Sequence, residues 1–195
     1  MILLYIKNIT KPLRHKISRF ISPNLCRNKF GQRPFIDFLE KKKLKNLVGA
    51  EVGIMHGENA LNIISKLNIK RLYLIDNYPE SNEYIGIQED NKHIAINRLG
   101  HLKNIFFIFK DSTDLIIKSF IKEKLDFVYI DAEHSYMGCD EDIRFYWDMI
   151  KSGGYLGGHD FYGSFIGVIL SVLNFVEEKN LIFYTDNFDY WMQKP

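Results

Sequence analysis

The apolar residues of this chain follow two patterns that alternate along it. Five short runs, 47–52, 71–75, 105–109, 127–130 and 155–158, are mostly apolar and barely alternate with polar residues. Such runs suit strands of a parallel sheet, which are covered on both faces. The stretches between them carry helical spacing. In 57–67, Ala60, Ile63, Ile64 and Leu67 fall on one face, and 89–99, 113–122 and 139–150 read as helices too. A mostly helical stretch follows at 163–178. Two last strands, 181–185 and 190–193, flank a turn at 187–189 and predict a terminal hairpin. Strands alternating with helices predict an α/β domain. Its seven-stranded sheet is mostly parallel and closes in an antiparallel hairpin.

Upstream of this pattern the chain changes character. Thr10 is placed to cap a helix with Lys11 and Pro12 in its first turn. Ile9, Leu13, Ile17, Phe20 and Ile21 then recur at helical spacing until Pro23 and Asn24. A second helix, after Pro34, ends in Lys41-Lys-Lys43, which suits a helix C-terminus. Residues 1–36 hold eight Lys and Arg and no acidic residue, so they carry +8; with a net charge of +2, the remainder carries 2 − 8 = −6. We divide the chain into a basic helical arm, 1–44, and a domain, 45–195. The arm has two readings: a helix packed on the domain with solvated charges, or peripheral contact with an anionic membrane surface through 1–36. The lysine cluster has no interleaved aromatics and no arginine fork beside it, so no nucleic-acid partner is expected.

The totals add boundaries. A length of 195 residues suits one domain with a full core. Cys26 and Cys139 form neither a disulfide framework nor a zinc spacing and read as reduced thiols. No apolar stretch approaches the ~20 residues of a membrane span. Residues 1–6 are apolar but short, with no cleavage site after them. The expected location is cytoplasmic.

Candidate chemistry lies where apolar runs stop in ionisable side chains. One run ends Tyr129-Ile-Asp131-Ala-Glu-His134, and another, Gly153-Gly-Tyr-Leu-Gly-Gly, ends in His159-Asp160. In open α/β sheets ligands bind outside the carboxyl ends of the strands. These four side chains are therefore expected to converge. The first strand runs into Glu51-Val-Gly53-Ile-Met-His-Gly57, whose glycines let the backbone turn sharply and approach a ligand. It is neither Gly-x-Gly-x-x-Gly nor a P-loop. Asp76 ends the second strand, where a carboxylate can accept from both hydroxyls of a ribose. Asp111 and Ser112 end the third, placed either to border a base or to cap the next helix.

Together these strand ends resemble the class I S-adenosylmethionine-dependent methyltransferases. The runs Tyr129-Ile-Asp-Ala-Glu-His-Ser-Tyr136 and Gly153-Gly-Tyr-Leu-Gly-Gly-His-Asp-Phe161 resemble a bacterial subgroup that includes the macrolide-sugar O-methyltransferases. The resemblance covers about 45–195 and implies a Rossmann-like fold. It implies that Glu51, Gly53 and Gly57 surround the methionine part of S-adenosylmethionine, with Met55 and His56 lining the loop. Asp76 would hold the ribose, and Asp111 and Ser112 would border the adenine. It also implies an O-methyltransferase acting on a hydroxyl of a sugar or other small acceptor, in polysaccharide or secondary-metabolite biosynthesis.

A sugar hydroxyl needs a base or a metal to become a nucleophile. His134 is the expected base, oriented by Asp131 or Glu133. Asp131, His159 and Asp160 are the expected ligands of a Mg²⁺ or Mn²⁺ ion. The metal-dependent sugar methyltransferases that this chain resembles carry two adjacent acidic residues at the last strand end. Here the first of them is His159, so a metal-free site stays open as well. Two other functions stay open: a cofactor-binding partner subunit without turnover, and a different activity on the same fold.

Overall fold

The computed structural model of the protein describes residues 32–79 and 87–195. The helix predicted from Thr10 onward, and with it the choice between packing and membrane contact, lies outside the described residues. The described elements are α1 (Pro34–Lys41), β1 (Leu47–Val52), α2 (Glu58–Lys66), β2 (Ile69–Ile75), α3 (Ile87–Leu99), β3 (Ile105–Ile108) and α4 (Ile117–Phe120). They continue with β4 (Leu125–Ile130), α5 (Tyr136–Met149), β5 (Ile150–Gly158), α6 (Ile166–Glu178), β6 (Phe183–Asp186) and β7 (Asp189–Gln193). No described helix is long and apolar enough to cross a membrane.

The seven strands form one sheet in the order β3-β2-β1-β4-β5-β7-β6. The pairs from β3 to β5 are parallel, and β7 joins β5 and β6 antiparallel. This is the predicted sheet, terminal hairpin included. The order reverses between β1 and β4, so a crevice opens at their carboxyl ends.

Both faces of the sheet are covered, which explains the unbroken apolar runs. Every residue of β1 is buried. Val48, Ala50 and Val52 join the core beneath α5 and α6, with Val128 and Ile130 of β4. Leu47, Phe127 and Tyr129 join the opposite core, beneath α1 and α2. Gly49 needs no side chain there, because a Cβ would overlap the Phe127 ring. The last helix, α6, is apolar almost all round, and Ile169 and Val172 are fully buried in it.

The arm boundary drawn at residue 44 falls just beyond α1. This helix places Phe35, Ile36 and Leu39 in the core at 0–1% exposure. Phe35 stacks on Tyr129 at 6.0 Å and on Trp191 at 5.9 Å. Lys66 of α2 pairs with Asp37 of α1. Burial of three large apolar side chains stabilises by roughly 5 kcal/mol, so α1 is an integral layer of the domain.

One predicted element is much shorter than expected. The 113–122 stretch forms only the four-residue α4. Asp111 and Asp114 accept from backbone N–H groups two residues on, and such turns compete with helical bonds.

Candidate active site

The glycine loop after β1 has an unusual backbone. Gly53, Met55 and Gly57 all have positive φ, at 83°, 48° and 78°. A side chain at Gly53 is excluded, because its Cβ would overlap the Asp131 carbonyl at the end of β4. The loop therefore lies directly against the strand that carries the candidate chemistry. Asp76 holds it from the other side. Its Oδ2 accepts from the N–H of Ile54 at 2.8 Å and of Met55 at 3.3 Å, and its Oδ1 from Tyr78 N–H at 2.8 Å. Tyr78 in turn donates to the Met55 carbonyl at 2.8 Å. His56 pairs with Asn91 of α3 at 2.7 Å, and Arg98 donates to the His56 carbonyl at 2.6 Å.

Glu51 is the buried charge-bearing group at this loop. One oxygen accepts from Asn59 of α2 at 3.0 Å, and the other is buried without a partner. Burial pushes its carboxyl up to about 8, against the opposing hydrogen bond from Asn59. An unpaired buried oxygen calls for a donor. The ammonium of a methionine moiety is such a donor, so the loop fits the cofactor implied by the sequence.

Asp111 is exposed, and its Oδ1 accepts from the N–H and hydroxyl of Thr113, each at 3.3 Å. Asp111 thus closes a local turn and does not cap the next helix, which starts at Ile117 with no side-chain cap. The Ser112 carbonyl accepts from Tyr146 of α5 at 2.7 Å.

The four residues predicted to converge do so. His134 Nε2 lies 2.7 Å from Asp160 Oδ2. The approach is off the line of a ring N–H, so Nε2 is buried without an aligned hydrogen-bond partner. His159 Nδ1 lies 3.1 Å from Asp160 Oδ1 and 3.9 Å from Asp131 Oδ1. Asp160 adopts a φ of 61°, a strained conformation for a non-glycine residue that clusters at functional sites. Burial opposes its ionisation, but the two imidazoles outweigh burial and hold its carboxyl well below the usual range. Contact with Asp160 raises the His134 imidazole above its ordinary value, partly offset by burial. Burial pushes Asp131 up, against the charges of His159 and Arg33.

Two sequence-based assignments change in this geometry. Glu133 does not orient His134, because it accepts from the Ser135 N–H at 2.9 Å as α5 begins. Asp160 is the carboxylate against His134. The candidate ligand group also differs from the expected one: among the described residues, Asp131, His134 and Asp160 have ligand atoms mutually within 4.8 Å. His134 stands there in place of His159.

Sequence reasoning missed Arg33. Its guanidinium reaches Asp131 at 3.5 Å and His159 Nε2 at 3.2 Å. Arg33 sits among the basic residues of the first segment, and nothing in its local pattern sets it apart. Its position before the Pro34 that opens a helix was the available signal.

Comparison with known proteins places this geometry in a family. A family model described as a methyltransferase domain matches residues 50–161, more than half of the chain. The chain belongs to this methyltransferase family. With its sheet order and loop, it is a class I S-adenosylmethionine-dependent methyltransferase. No curated protein matches it in sequence. Among solved structures, it is similar to SMU.1697c from Streptococcus mutans in complex with SAH, at TM-score 0.63 and 19% identity over 84% of this chain and 99% of that one. It is similar to the N-methyltransferase NodS from Bradyrhizobium japonicum with S-adenosyl-L-homocysteine, at 0.59 and 15%, over 95% and 97%. It is also similar to CalS11, a TDP-rhamnose 3'-O-methyltransferase of calicheamicin biosynthesis, at 0.57 and 12%, over 96% and 89%.

Proposed function

We propose that this methyltransferase acts on a hydroxyl of a sugar or other small acceptor. The carrying observation is the junction of two halves: the Gly53 loop packs on the Asp131 strand end, and His134 and Asp160 stand beside it. When bound, S-adenosylmethionine supplies an electrophilic methyl carbon. The chain's own residues then have three tasks.

Glu51, Gly53, Gly57 and Asp76 hold the cofactor, with Asp111 and Ser112 toward its base. His134 takes the proton of the acceptor hydroxyl at the ring nitrogen that does not face Asp160. Its Nε2 is buried beside Asp160 Oδ2. Asp160 stabilises the imidazolium that forms, at 2.7 Å. Asp131 borders the acceptor. The oxygen nucleophile is favoured over an apolar one by the polar strand ends, and CalS11 of similar fold is a sugar O-methyltransferase.

A second reading follows from the mutual approach of Asp131, His134 and Asp160. Two carboxylates and an imidazole form a donor set suited to Mn²⁺ more than Mg²⁺. The two readings exclude each other at one atom, since Nε2 carries either a proton facing Asp160 or a metal ion. Labelled methyl transfer to a panel of glycosyl and phenolic acceptors, with chelator and with added Mn²⁺, separates them. Transfer that survives the chelator supports His134 as base, and transfer restored by Mn²⁺ alone supports it as ligand. No transfer to any hydroxyl, with transfer to amines instead, would sink the proposed acceptor.

A further inference from the structure

We propose that Arg33 is a positioning residue of the acceptor side, holding His159 as the tautomer with its proton on Nδ1 and so aiming it at Asp160. The idea takes its meaning from the methyltransferase reading, but its test needs no turnover. Arg33 Nη1 lies 3.2 Å from His159 Nε2. A guanidinium donates and has no acceptor. His159 therefore offers a lone pair at Nε2, and its ring proton falls to Nδ1. The hydrogen bond at one ring nitrogen sets the state of the other. Nδ1 is 3.1 Å from Asp160 Oδ1, which accepts. The second oxygen of Asp160 faces His134 Nε2 at 2.7 Å.

A chain of contacts thus runs from Arg33 through His159 and Asp160 to the proposed base. The other arm of the guanidinium is 3.5 Å from Asp131 Oδ2. A fork of this shape meets both groups at once, which a lysine ammonium on a single stem does not do. The backbone that presents Arg33 is anchored. Phe35, two residues on, is fully buried and donates its N–H to Asp189 at 3.0 Å. In this arrangement His159 has no lone pair left for a metal ion. The segment before α1 thereby completes a site otherwise built from strand ends.

Long-range ¹H–¹⁵N correlation of the imidazoles, in histidine-labelled protein, reads the tautomer directly, with His159→Gln assigning the signal. The expected wild-type spectrum has a bare Nε2 and a protonated Nδ1. In Arg33→Met, which keeps side-chain length and removes every donor, the Nε2–H form should gain population, since Asp160 alone then holds the proton at Nδ1. A wild-type proton on Nε2, alone or with one on Nδ1, overturns the proposal. So does a spectrum that Arg33→Met leaves unchanged. If that variant does not fold, the wild-type spectrum still decides. SAH titration of the same samples keeps the two ideas apart: wild-type protein that fails to bind SAH counts against the methyltransferase reading and leaves the tautomer result standing.

Discussion

Asp189, at the start of the last strand, accepts a hydrogen bond from the N–H of Phe35, at the start of α1, at 3.0 Å. Its other oxygen accepts from the Tyr129 hydroxyl of β4 at 2.8 Å. One fully buried carboxylate thus ties the first described helix to the last strand and to the centre of the sheet. The first N–H groups of a helix have no partner within it, and here a side chain 154 residues away supplies one. Replacement by Ala leaves two buried donors unpaired. We expect Asp189→Ala to lose about 2–4 kcal/mol of stability in urea unfolding, and Asp189→Asn, which keeps an acceptor, to lose less. Equal stability of Asp189→Ala and wild type would remove this role.

Stability should fall as pH rises from about 4 to 8. Burial pushes Glu51 up to about 8, Asp189 to about 7 and Asp142 to about 6. In that window the folded protein keeps protons that the unfolded chain has lost. Fewer protons bound on unfolding means that the free energy of unfolding decreases with pH. Asp160, held low, and His134, held high, act in the opposite and the same direction: Asp160 favours folding above its unfolded value, and the His134 contribution is lost as pH rises through its folded value. Glu51→Gln should remove roughly 1 kcal/mol per pH unit of the downward slope. Urea midpoints across pH check this, and an unchanged slope in Glu51→Gln would contradict it.

Two glycines of the same loop should respond differently to alanine. At Gly53 the added Cβ overlaps the Asp131 main chain, and φ is 83°. At Gly57 it meets the end of the Leu99 side chain at 2.6 Å, with φ 78°. Main chain cannot yield as a leucine methyl can. Gly57→Ala should cost about 1–2 kcal/mol from the backbone conformation, and Gly53→Ala clearly more. Thermal unfolding ranks them, and the reverse order would show that the loop shifts as a whole.

Acid should inhibit turnover through His134. Its imidazole is raised by Asp160, so the protonated form persists above the ordinary histidine value. A base must be unprotonated, so the acid limb of kcat/KM should lie above about 6.5. Asp160→Asn should move that limb to lower pH. His134→Gln should lower kcat by about 10²-fold or more with SAH affinity kept. A His134→Gln enzyme at wild-type rate would exclude it as base.

The sheet was legible because parallel strands covered on both faces leave unbroken apolar runs, as 47–52 and 127–130 do. Strand ends were legible for the same reason: charge can enter only where the chain leaves the core, so Asp131 and Asp160 stood out. What was not legible depends on contacts far apart in sequence or on side-chain direction. The Arg33–His159 pair spans 126 positions and has no local pattern. The grouping of His134, and not His159, with Asp131 and Asp160 depends on side-chain direction, which a spacing does not reveal. The shortened α4 follows from turn-forming Asp111 and Asp114, whose residue types were visible but whose bonds were not.

Calorimetric titration with SAH, of wild type and of Asp76→Asn, tests most directly that the loop after β1 and the end of β2 form the cofactor site. Saturable one-to-one binding, weakened at least roughly tenfold in the variant, is the expected result. No binding to the wild-type protein would contradict the account at its centre, and equal binding by both proteins would move the ribose away from Asp76.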